Sequence, residues 1–164
     1  MLIMKTNLAI TYGQLGNMEK ALSMERDVYS GRLKLHGEEH PQTLIAASNY
    51  SASLFHLQRI EEARALLRKV TPVTRRVLGD NHDITLKMRF GYAASICFDA
   101  GSTLDDLRGA VTTLEETART ARRVLGGTHP TTGGIEETLR EARAALAARD
   151  VESLGDALGA LGAA

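Results

Sequence analysis

The fold of this chain is decided by residues 75–86, Arg-Arg-Val-Leu-Gly-Asp-Asn-His-Asp-Ile-Thr-Leu, because a related pattern stands on both sides of them. Upstream, residues 35–44 read Leu-His-Gly-Glu-Glu-His-Pro-Gln-Thr-Leu, and downstream, residues 122–132 read Arg-Arg-Val-Leu-Gly-Gly-Thr-His-Pro-Thr-Thr. The aligned histidines of these segments are 42 and 47 residues apart. Recurrence at such spacings is typical of a repeat protein, so the sequence predicts stacked copies of one structural unit.

Other residues return in the same 42-residue frame. Asn7 aligns with Asn49, Glu19 with Glu61, Ala21 with Ala63, Arg26 with Arg68 and Gly37 with Gly79. The third copy gains five residues, which we place around residues 100–103, because Gly and Ser there mark a turn. A surface loop absorbs such lengthening at small cost.

Each unit predicts two helices, since apolar residues such as Ile60, Ala63, Leu67 and Val70 recur at helical spacing. The Leu-Gly pairs at 78–79 and 125–126 predict that these helices end in a left-handed glycine cap. The His-Pro pairs at 40–41 and 129–130 predict the start of the following helix. Pro72 lies inside one helix and predicts a kink. The predicted helices cover about residues 2–15, 18–36, 41–57, 60–78, 83–99, 104–125 and 131–148.

The predicted division of the chain is one helical array over residues 1–149, followed by a tail or short helix over 150–164. Within the array we expect units of about 1–39, 40–81 and 82–128. A closing helix over 129–149 would complete the array with one apolar and one polar side.

Residues 6–21, Thr-Asn-Leu-Ala-Ile-Thr-Tyr-Gly-Gln-Leu-Gly-Asn-Met-Glu-Lys-Ala, together with the Gly-Glu-Glu-His-Pro lead, resemble the 42-residue tetratricopeptide repeat of kinesin light chains. The resemblance covers roughly residues 1–132. It implies an all-α, right-handed α-solenoid of helical hairpins. It also implies that small residues meet between the two helices of a hairpin, in the pairs Ala9 and Ala21, Ser51 and Ala63, and Ala93 and Ala110.

The resemblance further implies a groove lined by the first helix of each unit, in which an asparagine holds a peptide backbone. The asparagine position is Asn7 and Asn49 in the first two copies and Gly91 in the third. An amide side chain suits this role because it both donates and accepts hydrogen bonds. The expected groove residues are Asn7, Asn49, Gln14, Ser48, Phe55, His56, Lys87 and Phe90. Because no Lys and Arg cluster would clamp a terminal carboxylate, we expect an internal segment of a partner, extended or helical, with apolar anchors.

Composition restricts the class of partner. Twenty Lys and Arg balance twenty Asp and Glu, and the chain has no Trp, which disfavours nucleic acid as a partner. No apolar run approaches the length of a membrane span, and the N-terminus is unlike a secretory signal. We therefore expect a cytoplasmic protein whose partner is another protein or a peptide, and no membrane partner.

The sequence contains no recognisable catalytic motif, so we expect that the protein is not an enzyme and that it binds no cofactor and no metal. His36 and His40 have ligand-like spacing, but Gly37 separates them, and we expect the recurring histidines to make turn hydrogen bonds. Cys97 lies in an apolar pattern and is expected to be a buried small hydrophobe.

Two alternatives remain open. The chain could be the sensor segment of a larger signalling NTPase, which the upstream gene sequence would reveal, or a metal-dependent enzyme, which a metal analysis would test.

Overall fold

The computed structural model describes residues 2–162, and within that range it contains seven α-helices and no strand. The helices are α1 (Leu2–Gln14), α2 (Met18–His36), α3 (Pro41–His56), α4 (Ile60–Leu78), α5 (Asp83–Cys97), α6 (Leu104–Val124) and α7 (Pro130–Gly162). Each helix packs against the next along the chain, and the first helices of successive hairpins also meet, α3 with α5 and α5 with α7. The all-α solenoid of hairpins predicted from the sequence is therefore confirmed.

The recurring histidines start three helices in the same way. The Nδ1 atom of His40 accepts a hydrogen bond from the backbone N–H of Gln42, at 3.2 Å. His82 and His129 accept the same bond from the residue two positions further on, also at 3.2 Å. Each ring thus satisfies one of the N–H groups that a helix leaves unpaired in its first turn. The predicted turn hydrogen bond is confirmed at all three positions.

Gly79, where the sequence predicted a left-handed helical cap, and Gly37, the equivalent glycine of the preceding unit, adopt another conformation. Gly37 has φ 81° and ψ 176°, and Gly79 has φ 84° and ψ 162°. The positive φ was expected, but ψ is extended, whereas the left-handed helical cap needs a ψ of about 47°. This region is essentially restricted to glycine. The expectation of a left-handed helical cap was therefore wrong at Gly79, because the chain passes from this glycine into a turn in which the N–H of His82 donates to the carbonyl of Gly79 at 3.4 Å.

The core consists of small residues where two helices touch and of a series of buried leucines. All six residues of the small-residue pairs implied by the resemblance are buried: Ala9, Ala21, Ser51, Ala63, Ala93 and Ala110. Leu54, Leu67, Leu86 and Leu114 are almost completely inaccessible and connect successive hairpins. Helix α4 runs without interruption through Pro72, which lies on its exposed side.

The extra residues of the third copy form the connection between α5 and α6, where the sequence placed them. Two arginines from other helices hold this loop. Arg64 of α4 donates to a carboxylate oxygen of Asp99, at 2.7 Å, and to the backbone carbonyl of Ser95. Arg149 of α7 donates to the carbonyls of Ala100 and Ser102. Through these hydrogen bonds, the loop links the second helix of the second hairpin to the last helix.

Helix α7 continues through residue 150 without a break, so the predicted division into a closing helix and a separate tail or short helix is wrong at the level of secondary structure. Ile135, Leu139 and Ala142 pack into the core, as their spacing predicted. Beyond them, Asp150 pairs with Arg108 at 2.8 Å, which extends the contact with α6 by another turn. This pairing lies five residues before Gly155, from which point glycines dilute the helix propensity of the sequence.

Candidate functional site

A groove of about 350 Å³ lies between α3, α5 and α7, on the side formed by the first helix of each hairpin. All three phenylalanines of the chain, Phe55, Phe90 and Phe98, line it. Its other lining residues are mostly small, including Ala52 and Ala94. Three aromatic rings around small side chains make a concave apolar surface, which is the usual character of a binding groove.

The eight residues expected from the sequence to line one groove lie in different parts of the structure. Ser48, Phe55, His56, Lys87 and Phe90 all line this groove. Asn49 instead lines a separate small cavity beside α2, and Asn7 and Gln14 are exposed on α1. The structure thus brings five of the eight together.

The shape of the groove explains why the third copy has Gly91 where the first two have asparagine. A Cβ atom on Gly91 would stand 3.0 Å from Cδ1 of Leu67 and 3.3 Å from Cε2 of Phe55. Phe55 of the preceding hairpin therefore occupies the space that a side chain at position 91 would need. Gly134 has a related role on α7, since its missing Cβ would meet only the Phe90 ring, at 3.8 Å.

The polar groups of the groove lie beside its apolar centre. Lys87 is paired with Asp83 through Nζ at 2.7 Å, and His56 is exposed at the end of α3. Because the positive charge of Lys87 is already paired with a carboxylate one helical turn away, the groove has a weak electrostatic potential. It is therefore better suited to apolar side chains than to an ionic ligand.

Asn49 shares its cavity, of about 20 Å³, with two charged groups that the sequence analysis did not identify. Glu25 and Arg32 of α2 line the same space, and their Oε2 and Nε atoms are buried without a hydrogen-bond partner. Burial raises the pKa of Glu25, opposed by a smaller effect of the Ser53 hydroxyl. The repeat frame did contain a signal, because Glu25 aligns with the core residue Leu67, and a charge at a core position is unusual.

The rings of His36 and His40 stack with centroids 4.5 Å apart, although Gly37 ends the helix between them, as the sequence predicted. The turn that follows Gly37 brings His40 back over the last turn of α2. Two parallel rings, one already accepting a backbone hydrogen bond, do not form a chelating pair. Across the described part of the chain, no group of three or more His, Cys, Asp or Glu side chains is placed to hold a metal ion.

Cys97 is half-buried beside the apolar cluster of α5, α6 and α7. Burial raises the pKa of its thiol. The neutral thiol behaves as a small hydrophobe, as the sequence predicted, although the side chain is less buried than expected. In the same described range, no helix is long and apolar enough to cross a membrane.

The helical hairpins, with their histidine caps and the groove on the first helices, form a tetratricopeptide-like repeat fold. Residues 1–70 match the tetratricopeptide repeat family. Among curated proteins, none matches this sequence. The family match ends within α4, and the remaining hairpin and α7 are related to this class by their fold.

Solved structures similar to this chain include kinesin light chain-type repeat proteins, as the sequence indicated. One is a candidate kinesin light chain of Podospora anserina with nearly identical tetratricopeptide-like repeats, matched over 99% of this chain and 95% of that one, with a TM-score of 0.53 and 18% identity. A single-residue variant of that protein matches over 97% and 93%, with the same score and identity. BtubC (BKLC) of P. vanneervenii matches over 88% of this chain and 64% of that one, with a TM-score of 0.50 and 13% identity.

Proposed function

We propose that this protein binds a segment of another protein in the groove between α3, α5 and α7, and that it does so without catalysis. The observation that supports this most strongly is the gathering of all three phenylalanines at one groove. Phe98 is 57% exposed although it is apolar. Exposed aromatic groups around a concavity are the anchors from which protein interfaces gain most of their affinity.

The charge of the groove favours an internal segment over a chain terminus. Lys87 is already paired with Asp83, so the groove offers no unpaired lysine or arginine to a terminal carboxylate. An apolar side chain of the partner would fill the space between Phe55 and Phe90. Asn7, Gln14 and Asn49 lie outside this cavity, so we propose that they contact only a partner segment long enough to cross from α5 to α1.

Selection from a displayed library of random linear peptides tests the proposal. Selected peptides would be synthesised with a fluorophore, and their Kd measured by fluorescence anisotropy. We expect Phe98→Ala to weaken binding by about tenfold or more, which corresponds to roughly 1.4 kcal/mol. Gly134→Leu would fill the groove beside Phe90 and abolish binding.

The matched control is Leu35→Ala, which removes another exposed apolar side chain, 69% accessible, at the end of α2. It should bind the selected peptides as the unmodified protein does. Melting curves would verify that all three variants fold. If peptides bind the Gly134→Leu protein with unchanged affinity, or if Leu35→Ala weakens them as much as Phe98→Ala, the groove is not the binding site.

A further inference from the structure

A cavity of about 440 Å³ lies between α4, α5 and α6 and shares no lining residue with the groove between α3, α5 and α7. We refer to it as the arginine cleft, because Arg68 and Arg75 of α4 and Arg89 of α5 line it. Among the described residues that line it, Glu116 of α6 is the one carboxylate. A concave site with three guanidinium groups and one carboxylate has the charge to bind an anion.

One repeat earlier, the corresponding place is filled by a pair of tyrosines. Tyr29 of α2 and Tyr50 of α3 stack with ring centroids 6.2 Å apart and 25° between the ring planes. In the 42-residue frame, Tyr92 corresponds to Tyr50, but Thr71 stands where Tyr29 would be repeated. Thr71 and Tyr92 both line the arginine cleft. The second interface therefore keeps one ring of the pair and leaves the space of the other ring open.

Two of the arginines are not needed to stack one hairpin on the next. Arg75 and Arg89 correspond to Leu33 and Ala47 of the preceding interface, where Ala47 is completely buried. The side chain of Arg89 is only 11% exposed. Burial of a charged group costs free energy, and apolar side chains serve the neighbouring interface at these positions. A bound anion would give these two arginines a function that packing does not.

The described ion pairs leave part of this positive charge without a partner. Arg89 donates through Nη2 to Glu116 at 2.8 Å. Arg75 donates through Nε and Nη2 to Asp80 at 2.6 and 3.3 Å. Each guanidinium has more N–H donors than these bonds use. Arg68 is exposed and forms no ion pair with any residue that the structure describes, so three arginines meet two carboxylates and leave a net positive charge beside the cleft.

The hydroxyl of Thr71 adds an unsatisfied polar group to the wall of the cleft. The residue is 9% exposed, and its Oγ1 atom is buried with no hydrogen-bond partner within the described range. Other threonines of the second helices, such as Thr74 and Thr117, donate to the carbonyl four residues earlier, at 2.8 and 2.6 Å. A buried hydroxyl without such a bond is an exception in folded proteins, and a ligand that accepts its hydrogen bond would explain it.

We propose that the arginine cleft binds a phosphate group carried on a planar ring, with the ring beside Tyr92 and the phosphate among the three arginines. A phosphate monoester carries a charge of about −1.5 to −2 at pH 7 and three acceptor oxygens. Guanidinium groups bind such oxygens through paired, charge-assisted hydrogen bonds. The ring takes the space that Tyr29 fills one repeat earlier, in the offset arrangement that aromatic pairs prefer. A phosphotyrosine of a partner protein and a nucleoside monophosphate both supply this chemistry.

NMR titration of the ¹⁵N-labelled full chain with phenyl phosphate tests the site. We expect saturable shifts in the Nε–H signal of Arg89 and in the backbone amides of Thr71 and Tyr92. The Kd should be about fivefold or more below that of inorganic phosphate, which lacks the ring, and below that of benzoate, which lacks the phosphate. Absence of saturable shifts at these residues, or no preference for phenyl phosphate over the other two anions, overturns the inference. Parallel titrations with N-acetyl phosphotyrosine amide and adenosine 5′-monophosphate distinguish the two sources, and the tighter ligand identifies the one that the cleft fits.

Substitutions in α4 test which residues hold the ligand. Thr71→Tyr restores the tyrosine pair of the preceding interface, so it should fill the cleft and abolish phenyl phosphate binding without lowering Tm. Arg68→Met should weaken binding by about tenfold, because it removes the charge that has no carboxylate partner among the described residues. Lys69→Met is the matched control, since Lys69 is the next residue along α4, is exposed and does not line the cleft.

The results of these variants decide between specific binding and general attraction of anions. Equal weakening by Arg68→Met and Lys69→Met would overturn the site, as would unchanged binding by a folded Thr71→Tyr protein. Melting curves followed by circular dichroism verify that each variant folds. Phe98→Ala should leave phenyl phosphate binding unchanged, which separates this test from that of the peptide groove.

Discussion

The glycine that ends α4 offers the sharpest test of the repeat geometry. Gly79 has φ 84° and ψ 162°, a region that L-residues avoid, and a Cβ added there would meet no atom within 4 Å. Gly79→Ala therefore creates no clash, and its whole effect is backbone strain of about 1–3 kcal/mol. For a chain of this size each kcal/mol lowers Tm by roughly 2–4 °C, so we expect a decrease of about 2–12 °C.

Two further glycines provide matched controls, because a Cβ at either would also meet nothing within 4 Å. Gly127 lacks a positive φ, so Gly127→Ala should be close to neutral. Gly109 is exposed within α6, and Gly109→Ala should stabilise the protein by about 0.5–1 kcal/mol. Urea unfolding followed by circular dichroism would measure all three. If Gly79→Ala matched Gly127→Ala, the assigned turn conformation would be wrong.

Three further predictions concern other groups. His82→Ala should lower the free energy of unfolding by about 0.5–2 kcal/mol, while His82→Asn, which keeps a side-chain acceptor at the helix start, should retain most of it; urea unfolding compares the two. Because burial raises the pKa of Glu25, its stabilising contribution is present below the unfolded pKa and is lost as pH rises through the raised value. Glu25→Gln should accordingly stabilise the protein at neutral pH, and the gain should vanish on acidification in a series of thermal melts. Arg64→Met should cost about 1.5–3 kcal/mol and accelerate hydrogen exchange in the loop that contains Asp99, as mass spectrometry would show, whereas unchanged exchange there would contradict the role of Arg64 as an anchor.

The order and bounds of the helices could be predicted from the sequence because they depend on local chemistry. The histidine before each first helix, the glycine after each second helix and the 3.6-residue spacing of apolar positions are all readable along the chain. Predicted and observed ends agree within two residues, except at the end of α7. There the glycines indicated a break, but single glycines only lower helix propensity, and the regular spacing of apolar residues continues past them.

The site was predicted only in part, because its shape depends on contacts between hairpins. Phe55, Phe90 and Lys87 were found by their position on the first helices. Periodicity could not show that Phe55 fills the space opposite position 91, since this depends on the sizes of two residues 36 positions apart. For the same reason, Phe55→Ala should disturb stability as well as binding, and Phe98 is the better residue to test.

The loop between α5 and α6 has a consequence for how the protein melts. In a stack whose units contact only their neighbours, hairpins can be lost one after another from an end. Here the carbonyls of Ala100 and Ser102 are bound by α7, and Asp99 is bound by α4. Fraying of the last helix therefore releases a loop that the second hairpin also holds. We expect the second half of the array to unfold in one cooperative transition, without separate transitions for its individual hairpins.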